Sequence, residues 1–229
     1  MIIGIDASNI RAGGGLVHLV NILKFLDVEK FNIEKIVIWS CKNTLNKIEE
    51  YAWLKKCSES VMEKNYLHRA LWQRKILPLQ LNDENCDILF VPGGSFDTKY
   101  RPVVTMSQNL IPFELTELCR YGFSLQTIKF ILLRFIQSLS FKSANGTIFL
   151  TEYAKDAVLK VTQSLKGETL VIPHGIEKGF FLHPRPQLNI NEFSSEFPYK
   201  LLYVSSIEPY KHHFQVIDAV AKLRADGIP

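Results

Sequence analysis

The chain has 229 residues, of which 47% are hydrophobic and 22% are charged, and these values exclude a disulfide-stapled miniprotein, a disordered chain and a fibrous protein. Its 27 Lys and Arg residues outnumber its 23 Asp and Glu residues only slightly, and they are spread along the chain. This mild positive charge does not indicate nucleic-acid binding. The four cysteines form no CxxC pair, so reduced thiols in the cytoplasm are expected.

Short apolar runs alternate with longer helical patterns from the first residue onward. The alternation is typical of βα units, and runs that are apolar throughout are typical of strands buried on both faces of a parallel sheet. The sequence therefore predicts an α/β fold with a Rossmann-like, doubly wound parallel sheet. The predicted strands are 2–6, 35–39, 87–91, 103–107, 147–150, 169–172 and 200–204, and the predicted helices are 16–26, 43–55, 66–81, 115–142, 152–164 and 211–225.

The domain organisation follows from one irregular stretch near the end of the chain. Residues 183–197 are rich in proline and polar residues and show no period, which predicts an interdomain linker. Residues 1–182 are therefore predicted to form one Rossmann-like domain. Residues 198–229 carry the pattern of a single βα unit, which cannot bury its own faces. We expect them to be the first unit of a second domain that is cut short.

The first predicted loop at the ligand-binding edge is rich in glycine. Ligands of parallel α/β sheets bind at the carboxyl ends of the strands, and Gly13, Gly14 and Gly15 follow the first predicted strand directly before a helix. Glycines there allow a phosphate group to approach the free N–H groups of the helix start. A turn that merely starts the helix is the alternative. His18 would lie one turn further on, either in the cleft or as an ordinary hydrogen-bonded residue.

Polar residues also follow three of the later predicted strands. Gln108 and Asn109 offer amide groups that suit sugar hydroxyls, unless Asn109 only caps its own backbone turn. Thr151 and Glu152 are further candidate cleft residues. Lys211 stands at the start of the last predicted helix, where its charge opposes the helix dipole unless an anion binds there. A solvated surface lysine is the alternative.

Several enzyme classes lack their motifs in this sequence. There is no GxSxG, no HExxH, no close His/Cys cluster and no DxD pair, which favours chemistry without a metal ion. The predicted helix 115–142 is apolar around most of its circumference, which favours a core helix, with contact to a membrane surface as the alternative. No apolar run approaches the roughly 20 residues that a transmembrane helix needs.

In their order and spacing, five segments of the chain resemble the N-terminal half of a family-four glycosyltransferase with the GT-B fold. The resemblance covers the whole chain and depends on IIGIDASNIRAGGG, SQNLIP, TIFLTEYAKD, VIPHGIEKGFF and LLYVSSIEPYK. It implies two Rossmann-like domains that face each other across a cleft. It also implies transfer of a sugar, with retention, from a nucleoside-diphosphate sugar, with no metal ion and no other cofactor.

The resemblance implies roles for individual residues. Gly14 and Gly15 match the glycines that approach the donor diphosphate, and Lys211 matches the lysine that pairs with the diphosphate from the second domain. Gln108 and Asn109 match a pair that is often His-Asp in the family. The resemblance implies that the two are the catalytic residues, with Gln108 near the donor sugar. The family's two donor-gripping glutamates would lie beyond residue 229, so we expect no transfer by this chain alone.

The function implied by the resemblance is that of a cytoplasmic hexosyltransferase building a surface polysaccharide such as lipopolysaccharide. Its partners would be a nucleotide-sugar donor and a glycan or lipid-linked acceptor, with peripheral contact at the inner membrane face. Ser205 departs from the pattern, because many members have an arginine there. One alternative is an NAD(P)-binding oxidoreductase or epimerase, although Trp39 and Ser40 stand where an acidic ribose ligand is expected. The other is a non-catalytic docking partner of another transferase.

Overall fold

Seven strands form one parallel sheet in the computed structural model, which describes residues 1–194 and 196–228. Ser195 of the predicted linker and Pro229 of the predicted second domain lie outside the described residues. Every pair of neighbouring strands is parallel, and the order in the sheet is β3, β2, β1, β4, β5, β6, β7. The strands are β1 (Ile2–Asp6), β2 (Lys35–Trp39), β3 (Leu54–Cys57), β4 (Ile88–Val91), β5 (Val103–Ser107), β6 (Gly146–Phe149) and β7 (Glu168–Val171).

Helices connect the strands and cover both faces of the sheet. The helices in the described part of the chain are α1 (Gly13–Lys24), α2 (Lys42–Leu45), α3 (Tyr66–Lys75), α4 (Leu77–Asp83), α5 (Leu115–Cys119), α6 (Leu125–Ser143), α7 (Glu152–Thr162) and α8 (His213–Ala225). Short 3-10 turns occur at Ser60–Glu63, Ile111–Phe113, Lys178–Phe180, Ile190–Glu192 and Pro209–Lys211. No helix in the described part of the chain is both long and apolar enough to cross a membrane.

Side chains of β2 show how the two faces of the sheet are buried. Val37 and Trp39 pack in one cluster with Trp72 of α3 and with side chains of α4. Their neighbours Ile36 and Ile38 belong to a second cluster that contains the buried side chains of α1. Successive side chains of a strand point to opposite faces, so helices on both faces give each strand two apolar sides. The predicted doubly wound α/β fold is confirmed.

One predicted helix is wrong. The sequence predicted a helix over 43–55, but the helix there is only α2, and β3 follows it at the edge of the sheet. Lys55 of β3 forms an ion pair with Glu84, and Lys56 forms one with Glu50. An edge strand tolerates such charged side chains, so β3 lacks the apolar run by which the other strands were predicted.

Two other predicted helices are interrupted. The helix predicted over 66–81 is divided into α3 and α4, because Pro78 lies in the first turn of α4 and has no N–H to continue the bonding of α3. The helix predicted over 115–142 is divided into α5 and α6. Gly122 lies between them with φ of +58°, a left-handed backbone that only glycine adopts readily.

The chain divides into two compact units. The first unit comprises Met1–Glu114 and Ile128–His174 and contains all seven strands. The second unit comprises Leu115–Thr127 and Gly175–Pro229 and contains α5 and α8. The predicted division into 1–182, 183–197 and 198–229 stays a prediction.

Within the second unit, α5 is linked to the segment before α8. The Tyr121 hydroxyl donates to Glu208 Oε2 at 3.3 Å, and His212 Nε2 lies 3.4 Å from Glu117 Oε2. The strand predicted over 200–204 is wrong, because Leu202 and its neighbours form no strand and their side chains are exposed. An apolar run forms a strand only where a neighbouring strand accepts its backbone hydrogen bonds, and none in the described part of the second unit does so.

Candidate functional site

The carboxyl ends of all seven strands lie along one edge of the sheet, because all the strands are parallel. The chain moves from β1 outward to β2 and β3, and then returns to β4 on the other side of β1. The crevice between the loops that follow β1 and β4 is therefore the topological switch point, where doubly wound sheets bind ligands. The loops at this edge carry most of the site residues predicted from the sequence.

The glycine loop opens α1 without a side-chain cap. Ala12 is the extended residue before the helix, and its side chain makes no capping hydrogen bond to the first turn. Gly13 has φ of +70°, the left-handed region that favours glycine. Gly14 has no atom within 4 Å of the position that a Cβ atom would take. The start of α1 thus has uncapped backbone donors in a segment where Gly13 and Gly14 are exposed.

Gly15 and Gln108 are brought together by the fold. A Cβ atom placed ideally on Gly15 would lie 2.9 Å from Gln108 Oε1, so the two residues are in contact only because residue 15 has no side chain. The Gln108 side chain is half-buried, and its Nε2 donates to Met106 Sδ at 3.4 Å. The prediction that the loops after β1 and β5 meet at one edge is confirmed, and the roles of the two residues in binding a donor stay predictions.

His18 lies one turn further along α1 and contacts His174. The ring centroids are 4.3 Å apart at 66°, an edge-to-face arrangement. His18 Nε2 is buried and has no hydrogen-bond partner among residues 1–194 and 196–228. Desolvation, followed by the charge of His174, lowers the pKa of His18. His18 is thus neutral at pH 7 and keeps a ring nitrogen free to bond a ligand hydroxyl.

Three other predicted site residues have local structural roles. Asn109 Oδ1 accepts a hydrogen bond from the Ile111 N–H at 3.2 Å, so the structure favours the turn alternative for this residue. Thr151 Oγ1 accepts from the Ala154 N–H at 3.0 Å and caps α7. Glu152 follows as an exposed acidic residue in the first turn, where it suits the helix dipole.

Lys211 belongs to the second unit, whereas Gly14, Gly15 and Gln108 belong to the first. The helix predicted to begin at 211 begins instead at His213, and Lys211 lies in the 3-10 turn before it. The Lys211 ammonium lies over the Tyr210 ring, 4.8 Å from its centroid.

Two site features were missed by sequence reasoning. His174 was part of a predicted loop and of the VIPHGIE segment, but only the fold shows that it faces His18. Asp6, the last residue of β1, is 2% exposed, and its oxygens accept from the Ser8 N–H at 3.0 Å and from Gln73 Nε2 at 2.5 Å. Burial raises the pKa of Asp6, and both hydrogen bonds oppose that rise. A single acidic residue after an apolar strand carries no motif from which this bonding could be predicted.

Comparison with known proteins gives no family for this chain. No protein-family model matches the sequence, and no curated protein matches it.

Proposed function

We propose that this chain is the acceptor-side part of a metal-independent, retaining glycosyltransferase that uses a nucleoside-diphosphate sugar. The observation that carries the proposal is the contact between Gly15 and Gln108 at the carboxyl edge of the sheet, 2.9 Å measured from an ideal Cβ on Gly15. It places an amide that can bond a sugar hydroxyl beside a helix start that can bind a diphosphate. The resemblance of the five sequence segments supports the same function.

In the proposed reaction, the backbone N–H groups at the start of α1 stabilise the leaving diphosphate. The positive end of the α1 dipole adds to this stabilisation. The bond between the sugar carbon and the diphosphate oxygen breaks, and its electron pair leaves with the diphosphate. The acceptor hydroxyl oxygen bonds to the same face of that carbon, and its proton passes to the departing diphosphate oxygen. Gln108 holds a hydroxyl of the donor sugar, and positioning supplies much of the remaining acceleration. The acceptor is a glycan or a lipid-linked sugar, and peripheral contact with the inner membrane face belongs to the same proposal.

The test compares two glycine-to-valine variants of the full-length protein. Gly15→Val inserts a side chain against Gln108, so calorimetry should find UDP or GDP bound at least about tenfold more weakly. Gly179→Val is the matched control, because no atom lies within 4 Å of its Cβ position. Gln108→Ala should weaken the nucleotide sugar more than the free nucleotide. A folded Gly15→Val protein with wild-type nucleotide affinity would refute the proposal.

The strand order supports one second candidate, an NAD(P)-binding oxidoreductase or epimerase. The order β3, β2, β1, β4, β5, β6 is that of dinucleotide-binding domains, with β7 added at one edge. Ser40 follows β2 where an acidic ribose ligand is expected, and its hydroxyl instead donates to the Ala7 carbonyl oxygen at 2.8 Å. Titration of the chain with NADH, followed by nicotinamide fluorescence, separates the candidates, because tight binding is expected only of the oxidoreductase or epimerase.

A further inference from the structure

Two arginine side chains hold the same segment of chain near the switch point. Arg11, in the loop after β1, donates through Nη2 to the Met62 carbonyl oxygen. Arg69, on α3, donates through Nη1 to the Lys64 carbonyl oxygen and through Nε to Asn9 Oδ1, the latter at 3.2 Å. The two guanidinium groups are therefore fixed beside each other by backbone and amide oxygens, and both are half-buried.

The location of this arginine pair, Arg11 and Arg69, is the ligand-binding edge of the sheet. Asn9, which accepts from Arg69, lies in the loop after β1, and its Cβ is 3.6 Å from the Cβ position of Gly93 in the loop after β4. The pair thus borders the crevice between β1 and β4. The hydrogen bonds of the two arginines go to residues 9, 62 and 64, whereas Gly15 contacts Gln108 in the loop after β5.

The arginine pair has charge and hydrogen-bond donors to spare. Neither guanidinium forms an ion pair with a carboxylate in the described part of the chain. A guanidinium has five N–H donors, and the bonds above use one of Arg11 and two of Arg69. Asp6 attracts Arg69, but its oxygens already accept from Ser8 and Gln73. Desolvation, and then the charge of Arg11, lower the pKa of Arg69, and an anion bound between the two would offset both.

We propose that Arg11 and Arg69 form a binding site for a phosphate group carried by the acceptor. Guanidinium groups bind phosphate oxygens through paired N–H donors, and two of them neutralise most of the charge of a phosphate monoester or a diphosphate. The statement that the acceptor carries this phosphate group rests on the proposed function. The statement that the two arginines bind a phosphate group does not. The carrier is a lipid headgroup or a soluble phosphate.

The test uses the 229-residue chain and needs no sugar donor. Inorganic pyrophosphate is titrated into isotope-labelled protein while the Nε–Hε resonances of Arg69 and the other arginines are followed by NMR. In parallel, the protein is floated with phosphatidylcholine vesicles that contain or lack phosphatidic acid. Arg11→Gln and Arg69→Gln should each weaken binding at least about tenfold, the effect of losing a charge-assisted hydrogen bond.

The matched control is Arg74→Gln, which removes the same charge from the same helix. Arg74 is exposed and lies 3.9 Å from Asp97, outside the pair. Arg69→Lys keeps the charge but loses the planar donors, so it should restore binding only in part. Thermal unfolding checks each variant, and if Arg69→Gln fails to fold, Arg11→Gln and Arg69→Lys carry the comparison.

Arginine-dependent binding of pyrophosphate without vesicle binding assigns a soluble carrier, and arginine-dependent binding of the phosphatidic acid vesicles assigns a lipid carrier. The proposal is overturned if neither probe binds, or if Arg74→Gln weakens binding as much as the variants of the pair. Binding at the pair in a protein that fails the UDP and GDP test would leave the anion site standing and remove the proposed function. If the protein passes the UDP and GDP test but binds neither probe at the arginine pair, the proposed function stands and the anion site is removed.

Discussion

The lowered pKa of His18 makes the free energy of unfolding depend on pH in a definite direction. The pKa of His18 is lowered from 6.5 by desolvation and then by the charge of His174. Between the lowered pKa and 6.5, the unfolded chain binds more protons at this residue than the folded chain. The contribution of His18 to the free energy of unfolding is therefore present above pH 6.5 and is lost as the pH falls through the lowered pKa.

We expect this dependence to appear when wild type is compared with His18→Gln. The difference in the free energy of unfolding between the two proteins should shift against the wild type as the pH is lowered from about 7 to 5, since glutamine does not titrate. NMR titration of the His18 ring gives its pKa directly. His174→Gln is the control, and it should move the pKa of His18 part of the way back toward 6.5. A wild-type His18 that titrates at or above 6.5 contradicts the prediction.

The sequence could predict which residues lie at the ligand-binding edge of the sheet. It could not predict which side chains contact one another there. Gly15 and Gln108 were both assigned to loops after parallel strands, and such loops must share an edge. Local sequence left two partners open for Asn109, a sugar hydroxyl and its own backbone turn, and only the structure shows that it bonds to the turn. The arginine pair was missed because Arg11 and Arg69 are far apart in sequence. The fold brings them together by hydrogen bonds to the carbonyl oxygens of Met62 and Lys64.

At the scale of elements, α7 shows a candidate site residue that acts as a helix cap. Thr151 Oγ1 satisfies the Ala154 N–H, one of the four donors that a helix start leaves unpaired. Thr151→Ala should reduce the free energy of unfolding by about 1 kcal/mol, and Thr151→Ser, which keeps the hydroxyl, should change it much less. Chemical denaturation measures both. Equal stability of the alanine and serine variants would show that the hydroxyl does not cap the helix.

Six strands were predicted to within one residue at each end, whereas β3 was missed and a strand was wrongly predicted over 200–204. β1 (IIGID) and β2 (KIVIW) each have one charged residue at an end and none in the interior, and their predicted bounds match the structure. β3 reads LKKC, and its lysines are acceptable only because it lies at the sheet edge, a property that depends on the whole sheet. The run 200–204 shows the converse, since an apolar pattern without a neighbouring strand forms none. Strand pairing is a non-local condition that single-sequence patterns do not contain.

For the whole molecule, the two units differ in how their helices are packed. α7 of the first unit buries four residues, Ala154, Ala157, Val158 and Thr162, against the sheet. α8 of the second unit has no buried residue, and Phe214 and Ile217 on it are 78% and 62% exposed. A helix without buried side chains relies on its own hydrogen bonds, which are marginal for 13 residues in water. The cost of opening α8 locally should therefore be small.

Hydrogen exchange measured by mass spectrometry tests this difference on the intact chain. Amides of α8 should exchange at least about a hundredfold faster than those of α7, a helix of similar length, because packed side chains raise the free energy of local opening. Amides of β1 and β4, at the centre of the sheet, should be the slowest. Adding a partner that covers Phe214 and Ile217 should slow α8 and leave α7 unchanged. Equal protection of α7 and α8 in the chain alone would show that α8 is stabilised by contacts other than those described, and the difference between the two units would no longer hold.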